Sequence, residues 1–260
     1  MRKKRSDRMI KYKNFINVII GFAILITLWQ LIIFIGKYDS ALFPSPIQVW
    51  DGILSLIKDG TLFEHFQVSI MRFLAGYLSA VVLAIILGLI FGRIPLLWGV
   101  IDPIIQVLRP VSPIAWSPFI VLWFGIGNMP AIVIIFIAAF FPVLLSTVSA
   151  VKNVDKTYLK VAQNFEIKKF ELLRKIIFPA TFPYIANGLH IAVGTAWIFL
   201  VAGEMVGTQS GLGYLVVDAR NSMRLDLVMA AILFIGVSGL LLDKAVGLIE
   251  NWINRIWGRA

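Results

Sequence analysis

Apolar runs of about twenty residues alternate with short polar stretches along most of the chain. The first, Ile16 to Ile35, follows MRKKRSDRMIKYKNF and has the length of about 20 residues that a bilayer span requires. It is too long for the roughly 7–15-residue core of a signal peptide, so it reads as a retained first helix. The pattern predicts six spans, at 15–36, 66–92, 103–126, 129–151, 182–206 and 226–249. The third is punctuated by Pro103, Pro110, Pro113 and Pro118. Interior proline removes a backbone donor and kinks a helix, and in membranes such breaks are tolerated where neighbours or a cavity re-satisfy the backbone. Both a kinked packing helix and a cavity-lining break fit this stretch.

Two shorter elements lie outside the spans. Ser45 followed by Pro46 is a helix start signal, which predicts a short amphipathic helix after the first span. Gly211 and Gly213 precede a brief apolar run, which predicts a re-entrant or surface helix over part of 207–224. There is no repeat of 20–50 residues and no low-complexity linker, so one membrane domain is expected.

Composition agrees with this pattern. Charged residues are 15% of the 260 and apolar residues 59%, far from the roughly 25% and 45–50% of soluble domains. The net charge of +10 lacks the soluble basic surface that nucleic-acid binding requires, so no nucleic-acid partner is expected. Cysteine is absent, and His65 and His190 are the two histidines. Thiol chemistry is excluded and no metal site is expected.

The distribution of charge orients the chain. With the N-terminus inside, the inner segments hold 18 of the 24 Lys and Arg, the outer segments four, and the spans two, Arg72 and Arg109. The positive-inside bias predicts both termini in the cytoplasm. The organisation expected is a basic N-terminus at 1–14, a membrane domain at 15–249 with a cytoplasmic loop at 152–181, and a tail at 250–260.

That loop is the most polar part of the chain, with seven Lys and Arg between Lys152 and Lys175. Its apolar and charged positions form no single stripe, which favours a helix at 155–164, a turn near Glu166–Ile167 and a second helix from Lys168 to Phe178, ended by Pro179. Two readings fit: an amphipathic element lying on anionic headgroups, or a docking element with apolar anchors and a charged rim.

The same segment resembles the cytoplasmic signature of binding-protein-dependent ABC importer permeases, Glu-Ala-Ala, three residues, Gly, nine residues, then Ile-x-Leu-Pro. Anchored on Pro179, the signature falls on Lys160, Val161 and Ala162, on Glu166, and on Ile176 and Phe178. Ala162, Ile176 and Pro179 match; Lys160 replaces the acid and Glu166 the glycine. The likeness extends over about residues 44–245, through FPSPIQVW, the glycine-rich run from Ser69 to Gly92, DPIIQVLRPVSPIAWSPFIVLWFGIG, FFPVLLSTVSAV and GEMVGTQSGLGYLV. It is similar to the branch that serves nitrate, taurine, aliphatic sulfonates and bicarbonate.

The resemblance implies an all-α membrane protein with the type I ABC importer permease fold, in the bacterial cell membrane. It implies a second permease copy, two cytoplasmic ATPase subunits and an extracytoplasmic binding protein, with ATP and Mg bound by the ATPase and no cofactor in this chain. The residues it puts at the ATPase contact are Lys160, Val161, Ala162, Phe165, Glu166, Lys168, Lys169, Ile176 and Pro179. An ion-coupled secondary transporter is the alternative, which would call for coupling carboxylates or unwound sites in corresponding halves.

The chemistry present is sparse. No G-x-x-x-x-G-K-[ST] phosphate loop, nucleophile elbow or H-E-x-x-H helix occurs, so energy must come from a partner or a gradient and no enzyme activity is expected. Intramembrane charges are candidates for function. Asp102 before Pro103 reads as a helix cap, and Arg72, six residues into its span, reads as snorkelling outward. Arg109, beside the prolines, suits attraction of an oxyanion or an ion pair with Asp102 or Glu204. Ser112, Trp116 and Trp197 are candidate walls of a substrate path, and Glu204 a candidate outer gate. His190 reads as a packing residue.

Overall fold

The computed structural model describes residues 2–39, 42–155, 157, 162, 164, 165 and 167–256, which are almost wholly helical and contain no strand. The long helices are α1 (Arg2–Gly36), α3 (Thr61–Arg93), α6 (Asn128–Lys152), α8 (Phe178–Gly207) and α10 (Leu225–Ile256). The shorter ones are α2 (Pro46–Lys58), α4 (Pro95–Leu108), α5 (Ser117–Phe124), α7 (Lys169–Leu172) and α9 (Leu212–Asn221). Five helices are long and apolar enough to cross a membrane, and the pair Pro95–Leu108 and Pro113–Phe124, bent by 85°, counts as a sixth when taken as one broken span. Six crossings were expected, with different bounds: α1 runs through the basic N-terminus without a break, and α10 continues past 249.

Helix α6 is the centre of the bundle. Half of its apolar window is buried, against none of that in α1. On one side lies α3, where Gly76, Ala80, Ala84, Gly88 and Gly92 recur every fourth residue. Residues at that spacing share one helix face, and small side chains let two backbones approach in lipid, where no hydrophobic force drives association. The approach is close: a Cβ on Gly88 would stand 2.6 Å from Thr147 Cβ, and one on Gly76 2.7 Å from the Ile132 carbonyl oxygen. On the other side Gly188 meets Ser146 and Gly203 meets Ala131, with Ala192 and Ala196 wholly buried between them.

These contacts fix directions. Gly76, Gly88 and Gly92 meet Ile135, Thr147 and Val151 in ascending order, so α3 and α6 are parallel. Gly188, Gly203 and Gly207 meet Ser146, Ala131 and Pro130, so α8 is antiparallel to them. The C-termini of α3 and α6 therefore share one end of the bundle with the N-terminus of α8. Two consecutive parallel helices require the chain to return the full length between them, and the bent third span makes that return.

The Ser45 start signal operates as expected. Gln48 N–H donates to Ser45 Oγ at 3.3 Å, and Ser45 N–H donates to Gln48 Oε1 at 2.8 Å, a reciprocal cap that satisfies two orphan donors. Helix α2 then packs on the start of α10, where Gly52 faces Leu227 and Asp226. Within residues 207–224 the stretch Leu212–Asn221 forms α9, with Leu212, Leu215, Val216 and Ala219 buried.

The close α3–α6 contact yields a prediction. Gly88→Leu should destabilise the protein by about 1–3 kcal/mol, the usual cost of overpacking, seen as a lowered thermal midpoint in detergent. Gly21→Leu, on a helix with nothing within 4 Å of that position, should leave the midpoint unchanged.

Candidate functional site

The third span is broken rather than kinked. Helix α4 starts at Pro95, so Asp102 lies within it, and Asp102 Oδ1 accepts from Gln106 Nε2 at 3.1 Å. The expected cap at Asp102 is thereby corrected: Pro95, not Pro103, supplies the first-turn proline. The helix ends at Leu108, a tight helical turn follows at Pro113–Trp116, and α5 leaves at 85° to α4. Pro110 and Pro113 have no N–H to continue the ladder, which is why the break falls there.

Beside the break lies a groove of about 350 Å³, in the size range of small-ligand sites. Arg109, Pro113, Phe141, Pro142, Ser146 and Thr195 contribute to its wall. The hydroxyls are committed to backbone: Ser146 Oγ donates to the Tyr184 carbonyl at 2.7 Å, and Thr195 Oγ1 bonds back to its own helix. Arg109 is the one charged residue of the lining, is exposed, and has no ion pair with a described residue. Its candidate partners are engaged elsewhere, Asp102 with Gln106 and Glu204 with Arg72.

Arg72 overturns its expected outward reach. Arg72 stands eleven residues from the start of α3 at Thr61, and its side chain turns into the bundle instead of outward. It is 3% exposed and pairs with the fully buried Glu204, Nη1 to Oε1 at 2.8 Å. Arg72 Nη1 also donates to the Ser210 carbonyl, Nη2 to Asn128 Oδ1 and Ser210 Oγ, and Nε to Asn128 Oδ1. All five guanidinium donors thus have acceptors.

Glu204 is equally well supplied. Gly213 N–H donates to its Oε2 at 2.9 Å, and Ser69 Oγ donates to the carboxylate while accepting from Leu212 N–H. His65 Nδ1 accepts from Gly211 N–H at 2.9 Å. Gly211 has φ +101°, and a Cβ there would run into the Glu204 carboxylate, so the loop tolerates only glycine at that point. Helix α3, the start of α6, the end of α8 and the loop before α9 meet in this cluster. The sequence offered Arg72 and Glu204 as separate charges; their pairing, 132 positions apart, had no local signal.

At the other end, the charged segment begins with a cap. Thr157 N–H donates to Asp155 Oδ1 at 2.8 Å, which holds the Asp155 carboxyl below its ordinary pKa. Ala162 is buried and Phe165 exposed, and Ile167 N–H donates to the Ala162 carbonyl at 3.0 Å, closing the turn expected near 166–167. Lys160, Val161 and Glu166 lie outside the described residues. Lys168 is exposed ahead of α7, which opens at Lys169, and Ile176 is part-buried.

Pro179 does not end a helix, contrary to expectation. A π-helical turn at Leu173–Ile177 leads from α7 into α8, and Phe178 N–H donates to the Leu173 carbonyl five residues back. A single wide turn of this kind re-registers the ladder, and Pro179 then occupies the first turn of α8, where its missing N–H costs least.

Trp116 is part-buried near the groove with its ring 6.5 Å from Phe119, and Ser112 is exposed between the lining residues Val111 and Pro113. Trp197 is 6% exposed, lies edge-on to Phe73 and donates through Nε1 to the Ile235 carbonyl. In this structure Trp197 and Glu204 belong to the core and not to the groove wall. His190 bridges to α10, with Nε2 2.9 Å from Asp243 Oδ1 and Nδ1 3.4 Å from Glu250 Oε2.

Residues 80–255 match the family described as the binding-protein-dependent transport system inner membrane component. The chain belongs to this family. The permease is 35% identical over 91% of its length to the putative aliphatic sulfonates transport permease protein SsuC of Bacillus subtilis, covering 87% of that protein. It is 32% identical over 96% of its length to the taurine transport system permease protein TauC of Escherichia coli, covering 94% of it. With the nitrate import permease protein NrtB of Leptolyngbya laminosa the identity is 37%, over 89% of this permease and 85% of the relative. A structure of the MetNI methionine ABC transporter in an inward-facing conformation shares the fold, with a TM-score of 0.54 at 16% identity over 71% of this chain and 96% of that one. The permease is thus a multi-pass inner-membrane transport subunit of the ABC importer class, and the secondary-transporter alternative gives way.

The buried pair in this permease makes a distinct prediction. Arg72→Met alone strands a buried carboxylate and should cost about 3–5 kcal/mol. The Arg72→Met/Glu204→Met double variant should lose clearly less than the sum of the single losses, in a thermal double-mutant cycle in detergent. Additive losses would show that the two charges do not act as one unit.

Proposed function

We propose that the permease forms the translocation path for a small oxyanion, imported by alternating access that separate ATPase subunits drive. The observation that carries this reading is Arg109: an exposed guanidinium at a break in a span, in a groove whose other lining residues are uncharged. A planar cation with forked donors suits sulfonate, nitrate or bicarbonate oxygens, and the named relatives serve substrates carrying such groups. Ser112 and Trp116, beside the groove, are the neighbouring positions assigned to the path.

Orientation and partners follow from charge and from the family. Both termini and the 152–181 segment face the cytoplasm, on the basic side of the membrane. A second copy of the permease closes the groove, two ATPases supply ATP and Mg, and an extracytoplasmic binding protein delivers the substrate. The charged segment docks to the ATPase, with Ala162, Phe165, Lys168, Lys169 and Ile176 at the contact and Lys160, Val161 and Glu166 in the signature positions. Its exposed Phe165 is an apolar anchor among basic residues, which a solvated loop does not require.

Two measurements test this. Charge reversal at Lys168, Lys169 and Arg174 should lower recovery of the co-purified ATPase at least tenfold, and unchanged recovery would remove the docking role. Arg109→Gln should cut ATP-dependent uptake of a sulfonate, nitrate or bicarbonate by about tenfold, the loss of one charge-assisted hydrogen bond of roughly 1.5 kcal/mol, with ATPase recovery intact. Stimulation of the reconstituted complex only by cations or neutral sugars would exclude the oxyanion class.

A further inference from the structure

On α3, the face carrying Ile86, Leu89, Ile90 and Arg93 recurs at the spacing of neighbouring helical positions and is separate from the glycine face that α6 covers. Together with Ile94, and with Leu173 and Ile177 of the π-helical turn, these residues line a crevice of about 480 Å³. Six of the seven lining residues are aliphatic and the seventh is an arginine. Ile177 is wholly buried at the base, whereas Ile86, Ile90 and Ile94 remain half to two-fifths exposed. Among the described residues Arg93 has no ion pair or hydrogen-bond partner.

The level of this crevice in the membrane is marked. It sits where α3 ends and α8 begins, the end of the bundle that also holds the C-terminus of α6. There Lys152 lies over the Trp98 ring at 4.5 Å, the combination of aromatic and basic side chain typical of a membrane interface. Arg174, next to the lining residue Leu173, is exposed, while Lys175 is paired with Glu171 at 2.9 Å. An aliphatic slot open to the hydrocarbon with an uncommitted guanidinium at its interfacial end has the polarity of a phospholipid: chain in the slot, phosphate on the cation.

We infer that this crevice is a binding site for one anionic phospholipid, with an acyl chain against Ile86, Ile90, Leu173 and Ile177 and the phosphate held by Arg93. The site is separate from the anion groove at Arg109, which lies on the α6–α8 side. It rests on membrane embedding alone and not on the substrate proposed above. Because Leu173 and Ile177 belong to the turn that joins the charged segment to α8, the bound chain props the wide π-helical turn from its lipid side.

Native mass spectrometry of the full-length protein, released from detergent after titration with phosphatidylglycerol or phosphatidylcholine, tests the inference. One phosphatidylglycerol should bind ahead of the bulk, and Arg93→Gln should weaken that binding about fivefold, the order expected for one basic residue at a membrane surface. Phosphatidylcholine should bind more weakly to the native protein and respond little to Arg93→Gln. Ile90→Trp, at a half-exposed position that tolerates bulk, should block the first phosphatidylglycerol while leaving the thermal midpoint unchanged. Inorganic phosphate should not compete, since the chain supplies part of the affinity. Equal retention by native protein and Arg93→Gln would overturn the assignment. So would a crevice covered by a second copy of this chain, read as an Ile90→Cys disulfide dimer that excludes lipid.

Discussion

A salt bridge between two residues 132 positions apart holds one end of this permease's helix bundle together. Burying Arg72 and Glu204 costs several kcal/mol of desolvation for each ion, which only good geometry and full hydrogen bonding offset. The geometry is complete on both sides. Five guanidinium donors are satisfied, and the carboxylate receives a backbone amide and a serine hydroxyl in addition to the arginine. Since neither charge is tolerable in lipid alone, the elements bearing their partners must assemble together. Those elements are α3, the first residue of α6, the end of α8 and the Ser210–Gly213 loop.

Below that cluster, packing takes over from charge. The four-residue recurrence of glycine and alanine on α3 and α8 lets α6 sit between them at backbone distance, so the bundle is held by contact area in a solvent that offers no hydrophobic gain. The groove runs along the α6–α8 face of that core, and the broken third span, tied to the core more loosely, supplies Arg109 and Pro113 to its edge.

Much of the fold is legible in the sequence, because span length and helix start signals are local. The six crossings, the Ser45 cap, the short helix after Gly211 and the turn near Ile167 all rest on patterns a few residues long. What failed was non-local. The local pattern around Arg72 suggests an outward reach, but a carboxylate 132 positions away turns the guanidinium inward. Asp102 was read as a cap because Pro103 hid the earlier start at Pro95. Pro179 was read as a terminator because a π-helical turn, which absorbs a proline without ending the helix, leaves no compositional mark. Trp197 has no periodic cue to say that its indole N–H would find the Ile235 carbonyl.

The π-helical turn also has a mechanical meaning. Had Pro179 ended a helix, the charged segment would be joined to α8 by a flexible corner that absorbs displacement. Instead the backbone is helical from Lys169 to Gly207, a rod of about 58 Å at roughly 1.5 Å per residue, whose points of bending are the wide turn at Leu173–Ile177 and Pro183. The far end of that rod carries Glu204. The charged segment and the buried ion pair thus stand at the two ends of one continuous helical backbone, so the position of one limits the position of the other.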